Sequence, residues 1–272
     1  MIAPDTSASY VCLDAGTLHY GLKTATDKRV FKGNAGKIMK DNIKGYLISH
    51  PHLDHVSGLI INSPDDTAKA IYGLPFCLDV LKEKYFTWKG WANFTNEGDK
   101  PTLNKYHYVP LSEGNEVALE NTSMSVKAFV LSHSSPFQST AFLVRTGNAY
   151  VLYLGDTGAD GIEHSDRLYH LWSQVAPLVK SKQLKAIFIE VSFPNEQPDK
   201  QLFGHLTPNL FLKEMTRLQS MAGDQSLVNF PVVITHIKPA GNNEALIKEE
   251  LHQINKLKLN IIFPEQGKML KF

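Results

Sequence analysis

Only two cysteines, Cys12 and Cys77, occur in the 272 residues, so no disulfide framework holds this chain together. Both lie in apolar surroundings (Tyr-Val-Cys12-Leu and Pro-Phe-Cys77-Leu) and read as small buried thiols, with a single bridge between them left open. Charge of one sign is also missing. With 28 Lys+Arg against 27 Asp+Glu the formal net charge is +1, which argues against a nucleic-acid partner, since such proteins use a cationic excess to displace counterions. No run approaches the roughly 20 apolar residues that span a bilayer, so no membrane partner is expected. The N-terminus lacks the charged and apolar regions of a signal peptide, yet a strand-like segment follows almost at once. Compartment stays open: periplasmic or secreted if a leader has been removed, cytoplasmic otherwise. Repeats, low-complexity tracts and long linkers are absent, so the chain reads as one domain over 1–272. A 43% hydrophobic content excludes disorder.

What is present is a layered α/β pattern. Short apolar runs rich in Val, Ile, Phe and Tyr at 9–14, 44–49, 124–132, 139–146, 149–155, 185–191, 231–235 and 260–263 suit buried strands. Helical patterns lie near 53–61, 75–86, 166–182, 207–221 and 243–256. The one from 207 opens on Thr207-Pro208, a capping residue followed by proline in the first turn. Strand clusters followed by helices, in both halves, suit two facing sheets with helices outside. The stretch 84–110 is irregular and aromatic-rich, carrying Tyr85, Phe86, Trp88, Trp91, Phe94, Tyr106 and Tyr108. It reads as satellite core, a cap over a site or a homodimer contact, and Trp88, Trp91 and Phe94 are its candidates for stacking on a ligand.

Three of the eleven histidines fall in one hexapeptide, His50-Pro51-His52-Leu53-Asp54-His55, between a strand pattern and a helical one. Imidazole and carboxylate at this density suit a borderline-soft dication, and the carboxyl end of a strand is where α/β sheets bind ligands. A polar surface loop would need four ligand-type residues in six positions by accident. Three further strand patterns end on the same chemistry, at His133, Asp156 and His236. Singly, each reads as a capping or hydrogen-bonded residue. Together, four apolar strands deliver ligand-type side chains at the same end.

In order and spacing, His-Pro-His-Leu-Asp-His, Ser-His133-Ser, Gly-Asp156-Thr and Thr-His236 resemble the metallo-β-lactamase superfamily. More narrowly, Ser49 through Pro64, Glu190-Val-Ser-Phe-Pro-Asn195 and Phe203-Gly-His-Leu-Thr-Pro208 resemble the class II 3′,5′-cyclic-nucleotide phosphodiesterases. The resemblance implies a metallo-β-lactamase-like αββα sandwich, two facing mixed β-sheets flanked by helices. It also implies two divalent ions, zinc first and manganese or iron as alternatives. By motif, His50, His52 and His133 would hold one ion, Asp54, His55 and His236 the other, and Asp156 would bridge. Asp14 matches an acid that steadies the ligand loop. Catalysis would rest on Asp54 with Glu190 and His205, the last pair protonating the leaving 3′-oxygen of cAMP or cGMP, and a flexible Gly204 would let His205 approach. Two other activities share this ligand pattern, tRNA 3′-end phosphodiester cleavage and amide or thioester hydrolysis. A tRNA-gripping basic arm is not visible here, and neither amide nor thioester hydrolysis needs a late Glu/His pair.

Overall fold

Hydrophobic runs too short for helices pair into two sheets, and helices with one apolar face cover them. The computed structural model describes residues 1–272, grouped in two units: Met1–Ala128 with Glu265–Lys271, and Phe129–Pro264 with Phe272. No helix is long and apolar enough to cross a membrane.

In the first unit, β1 (Tyr10–Leu13), β2 (Ile43–Leu47), β3 (Lys69–Gly73) and β4 (Tyr106–Pro110) form a sheet in that order, parallel throughout. Parallel strands need crossovers, supplied here by α1 (Leu18–Asp27), α2 (Ala35–Asp41), α3 (Leu53–Asn62) and α4 (Pro75–Val80), which continues as a π-helical turn over Leu81–Tyr85. The core beneath α3 takes Val56 and Leu59 together with Tyr46 and Ile48 from the end of β2. An ionic knot ties strands to their connections: buried Asp66 accepts from the hydroxyls of Tyr46 (2.6 Å) and Tyr106 (2.8 Å) and from the Lys69 ammonium. A buried charge left without such partners would cost several kcal/mol. Strand β5 (Glu116–Ala118) pairs antiparallel with the start of β6 (Ser125–Ser132).

The second unit carries the rest of β6, then β7 (Gln138–Thr146), β8 (Ala149–Leu154), β9 (Leu184–Glu190), β10 (Pro231–Thr235) and β11 (Asn260–Ile262). These neighbours run in sequence order across the sheet, antiparallel at β7–β8 and parallel from β8 to β11. The single turn α5 (Asp160–Glu163), α6 (Arg167–Lys180), α7 (Pro208–Ala222) and α8 (Asn243–Ile254) complete the unit. Helix α7 starts as its sequence predicts, with the Thr207 side chain accepting from the Leu210 N–H. Its Phe211, Met215 and Leu218 are fully buried, each contributing about 1.5–3 kcal/mol. Trp172 on α6 is buried too, its indole N–H donating to the Glu214 carboxylate at 3.0 Å.

Every strand and helix read from the sequence is present. Three strands and three helices are additional. The missing strands β3 and β4 begin at Lys69 and inside the aromatic stretch, where a charge and a crowd of rings mask the apolar pattern. Helix α1 carries Gly21, Thr24 and Thr26, weak helix formers, and is held by Leu18, Leu22 and Ala25 packing inward. Cys12 and Cys77 are both buried and unbridged, and burial pushes the Cys12 thiol up to about 11.

Candidate active site

In the first unit the site begins where β2 runs out. The chain passes Ser49 and His50, and His52 stands at the N-cap position of α3. Asp54 lies exposed in the first turn of that helix, where the helix N-terminus favours a carboxylate, and His55 is buried one residue on. Two glycines make this packing tight. A Cβ on Gly16 would stand 1.7 Å from the Asp54 carbonyl oxygen, and one on Gly58 would stand 2.3 Å from the Ala15 oxygen.

Asp14, at the end of β1 with φ +56°, holds the loop in place. Its carboxylate accepts from the Ser49 N–H (2.7 Å), the Ser49 hydroxyl (2.7 Å) and the His55 Nδ1–H (2.8 Å). Burial alone would raise the Asp14 carboxyl, but the imidazoles of His55 and His50 and the Ser49 N–H outweigh it and hold it below the ordinary carboxylate range. Because the Ser49 hydroxyl gives its proton to Asp14, it accepts from His50 Nδ1, 3.0 Å away. Nδ1 of His50 and of His55 is thereby held from behind, the arrangement that orients a metal-ligating imidazole. His50 Nε2 faces His52 Nδ1 at 3.1 Å. Two ligands on tetrahedral zinc stand about 3.3 Å apart, so this nitrogen pair fits a shared ion.

In the second unit the ends of β6 and β10 and the loop before α7 meet at Asp156. The buried carboxylate follows β8, and its Oδ2 lies 3.2 Å from His236 Nε2, 3.9 Å from His133 Nε2 and 3.9 Å from His205 Nδ1. The ligand-type atoms of His133, Asp156 and His205 lie within 4.8 Å of one another, as do those of Glu190, His205 and His236. Again Nδ1 is held from behind. His133 Nδ1–H donates to the Gly204 carbonyl at 2.9 Å, and His236 Nδ1 lies 3.1 Å from the Ser192 hydroxyl. Burial pushes the His133 imidazole below its ordinary value, against the pull of the Gly204 carbonyl and Asp156, so it stays the neutral species a metal takes. His236 has φ +56°, a strained backbone whose carbonyl oxygen lies 2.8 Å from the Ser192 hydroxyl oxygen.

Glu190 ends β9 and is fully enclosed. Oε1 accepts from His205 Nδ1–H (2.7 Å) and the Thr157 N–H (2.9 Å), and Oε2 from the Ser192 hydroxyl (2.6 Å) and the Leu206 N–H (3.2 Å). Desolvation lowers the His205 pKa, but the Glu190 carboxylate more than offsets this and holds it above the ordinary histidine value.

Gly204 stands just before His205, where the backbone needs close approach. At φ +76° it lies hard against the His133 loop, where a Cβ would come within 2.2 Å of the Ser134 nitrogen; close approach is its function. Ser192 and Thr157 were missed as site residues. Ser192 stands two positions after Glu190, the spacing that puts side chains on one face of an extended chain. Of the aromatic stretch, Phe86, Tyr106 and Tyr108 are core of the first unit, and Phe94 packs on that core under the Lys105 ammonium. Trp88 (46% exposed) and Trp91 (36%) remain at the surface, their indole N–H groups donating to the Pro101 carbonyl and the Ser63 hydroxyl.

Comparison with known proteins bears on the family and the fold. A 3′,5′-cyclic-nucleotide phosphodiesterase of Aliivibrio fischeri is 46% identical over 287 residues, spanning 100% of this chain and 87% of its own length. A probable 3′,5′-cyclic-nucleotide phosphodiesterase of Yersinia pestis is 39% identical, spanning 100% and 83%. The crystal structure of unliganded yeast PDE1 shares the fold with a TM-score of 0.85 at 23% identity, over 96% of this chain and 90% of that one. The metallo-β-lactamase fold protein YhfI from Bacillus subtilis does so at a TM-score of 0.60 and 14% identity, over 96% and 86%. The family model of class-II cAMP phosphodiesterases matches residues 24–267, and this chain belongs to that family.

Proposed function

We propose that the protein hydrolyses 3′,5′-cyclic nucleotides to 5′-nucleotides with the help of two divalent ions, zinc first among them. The observation that carries the metal reading is the set of imidazoles whose Nδ1 atoms are held from behind, by Asp14, Ser49, Gly204 and Ser192, the way metal-ligating histidines are oriented. By motif, His50, His52 and His133 would hold one ion and Asp54, His55 and His236 the other, with Asp156 as a further ligand. Bound divalent ions supply charge that draws off electron density from a phosphodiester and lower the pKa of a water to near neutrality.

The chain's own groups do the rest. Attack of water oxygen on phosphorus breaks the P–O3′ bond, and the departing alkoxide needs a proton. His205 gives Nδ1–H to Glu190 and carries the transferable proton on Nε2, and its raised pKa keeps that proton available near pH 7. Glu190 keeps its place because four donors hold it. Trp88, Trp91 and Phe94 are proposed to stack on the base.

Turnover of cAMP, cGMP, precursor tRNA and a β-lactam by metal-replete protein, with products identified, tests this. Release of 5′-nucleotide from a cyclic nucleotide, with the other two inert, is the expected result. Cleavage of precursor tRNA or the lactam without cyclic-nucleotide turnover would overturn it.

A further inference from the structure

Glu163 takes no part in the proton transfers above, yet its side chain touches both loops that carry His133 and Asp156. Its Oε2 accepts from the Ser132 hydroxyl at 2.8 Å and from the Ser135 N–H at 3.2 Å. These donors bracket His133 and Ser134, and Ser134 is held in the left-handed region at φ +55°. On its other side the same residue covers Gly158, two positions after Asp156: a Cβ there would stand 2.5 Å from Glu163 Cγ. The Gly158 N–H in turn donates to the Ser132 carbonyl at 3.0 Å.

The turn that presents Glu163 is itself anchored. The Glu163 N–H closes α5 onto the Ala159 carbonyl at 2.9 Å. Asp160, buried at the start of α5, accepts from the N–H groups of Leu168 (3.0 Å) and Tyr169 (2.9 Å), fastening the turn to the first residues of α6.

We propose that Glu163 is a positioning residue for His133 and Asp156. One carboxylate oxygen pins the strained His133 loop while the stem of the same side chain packs on the glycine of the Asp156 loop. A carboxylate suits the task because a charged acceptor holds two donors more strongly than a neutral one. The inference rests on the reading of these residues as metal ligands.

Zinc affinity, measured by competition with a chromogenic chelator, is the primary readout, with amide exchange at Ser135 beside it. Glu163→Ala is expected to bind zinc about 10–100-fold more weakly, as for other groups that orient metal ligands. It should lose kcat rather than raise KM for cAMP, and exchange the Ser135 amide faster. Glu163→Gln, whose amide oxygen can accept from both donors, should recover most of the affinity. Gly158→Ala reaches the clamp from the other side, by displacing the Glu163 side chain, and should reproduce the loss.

Wild-type zinc affinity and Ser135 protection in folded Glu163→Ala would overturn the proposal. A lower melting temperature with unchanged affinity would do the same. Should Glu163→Ala fail to fold, Ser132→Ala removes one donor only, and unchanged zinc affinity there would overturn it equally. Zinc affinity is read without substrate, so a wild-type protein that turns over no cyclic nucleotide would remove the functional reading and leave the clamp to be judged alone.

Discussion

The first unit writes three of its histidines in six consecutive residues, whereas the second brings His133, Asp156, Glu190 and His236 from strand ends, and His205 from the loop before α7, over about a hundred positions. Both solve the same chemical problem. An imidazole binds well only when its other nitrogen is held, and each unit supplies the holder differently. In the first, one carboxylate, Asp14, organises Ser49, His50 and His55 at once. In the second, the work is divided among a carbonyl (Gly204), a hydroxyl (Ser192) and a carboxylate (Glu190). A locally encoded ligand set depends on one acid from a neighbouring strand. A set assembled over long range depends on several connections at once.

The sharpest test of that contrast lies at the centre of the second unit. Asp156→Ala removes the carboxylate within 4 Å of three histidines, and nearly all activity and bound metal should go while the fold persists by circular dichroism. Elemental analysis finding full metal content in an active Asp156→Ala protein would break the comparison.

Next in size is His205→Ala. General-acid catalysis is worth about 10²–10⁴-fold, so cAMP turnover should fall by that factor with metal content unchanged. A p-nitrophenyl phosphodiester, whose leaving group needs no proton, should lose far less. Equal losses on the two substrates would take the acid's role away from His205.

Asp14→Asn probes the first unit's single holder. Asparagine tolerates the left-handed backbone at φ +56° but brings an N–H₂ to a position where every neighbour donates. Metal affinity should weaken roughly 10–100-fold, the usual cost of losing an orienting partner. Were Asp14→Asn to bind metal like wild type, the one-acid account of this unit would fail.

The smallest effect is expected at the surface indoles. Base–aromatic stacking is worth about 1–3 kcal/mol, and half-exposed rings with committed N–H groups belong at its lower end. Trp88→Ala or Trp91→Ala should raise KM roughly fivefold with little change in melting temperature. A drop in stability with KM unchanged would assign both rings to packing alone.

How much of this was legible beforehand varies with the range of the interaction. The hexapeptide and the strand ends carrying His133, Asp156 and His236 stand out because ligand-type residues interrupt clean apolar runs, and periodicity locates those runs within a residue or two. Strand β3 did not stand out, because Lys69 is a buried residue only by virtue of Asp66 and the Met39 carbonyl, which accepts from its ammonium at 2.8 Å. Part of the aromatic stretch turned out to be β4, whose Tyr106 hydroxyl is satisfied by the same Asp66.

By itself, then, the order of residues determined the fold class, the strand ends and the kinds of side chain found there, since these follow from local periodicity and from which groups can bind a dication or hold a proton. Tertiary structure alone decided which nitrogen of His55, His133 and His236 is held from behind. That choice depends on acceptors far away in sequence: Asp14 lies 41 residues from His55, Gly204 lies 71 from His133 and Ser192 lies 44 from His236. It also decided that Gly204 is a point of close contact, because only the folded chain brings the Ser134 nitrogen to within 2.2 Å of where its Cβ would be.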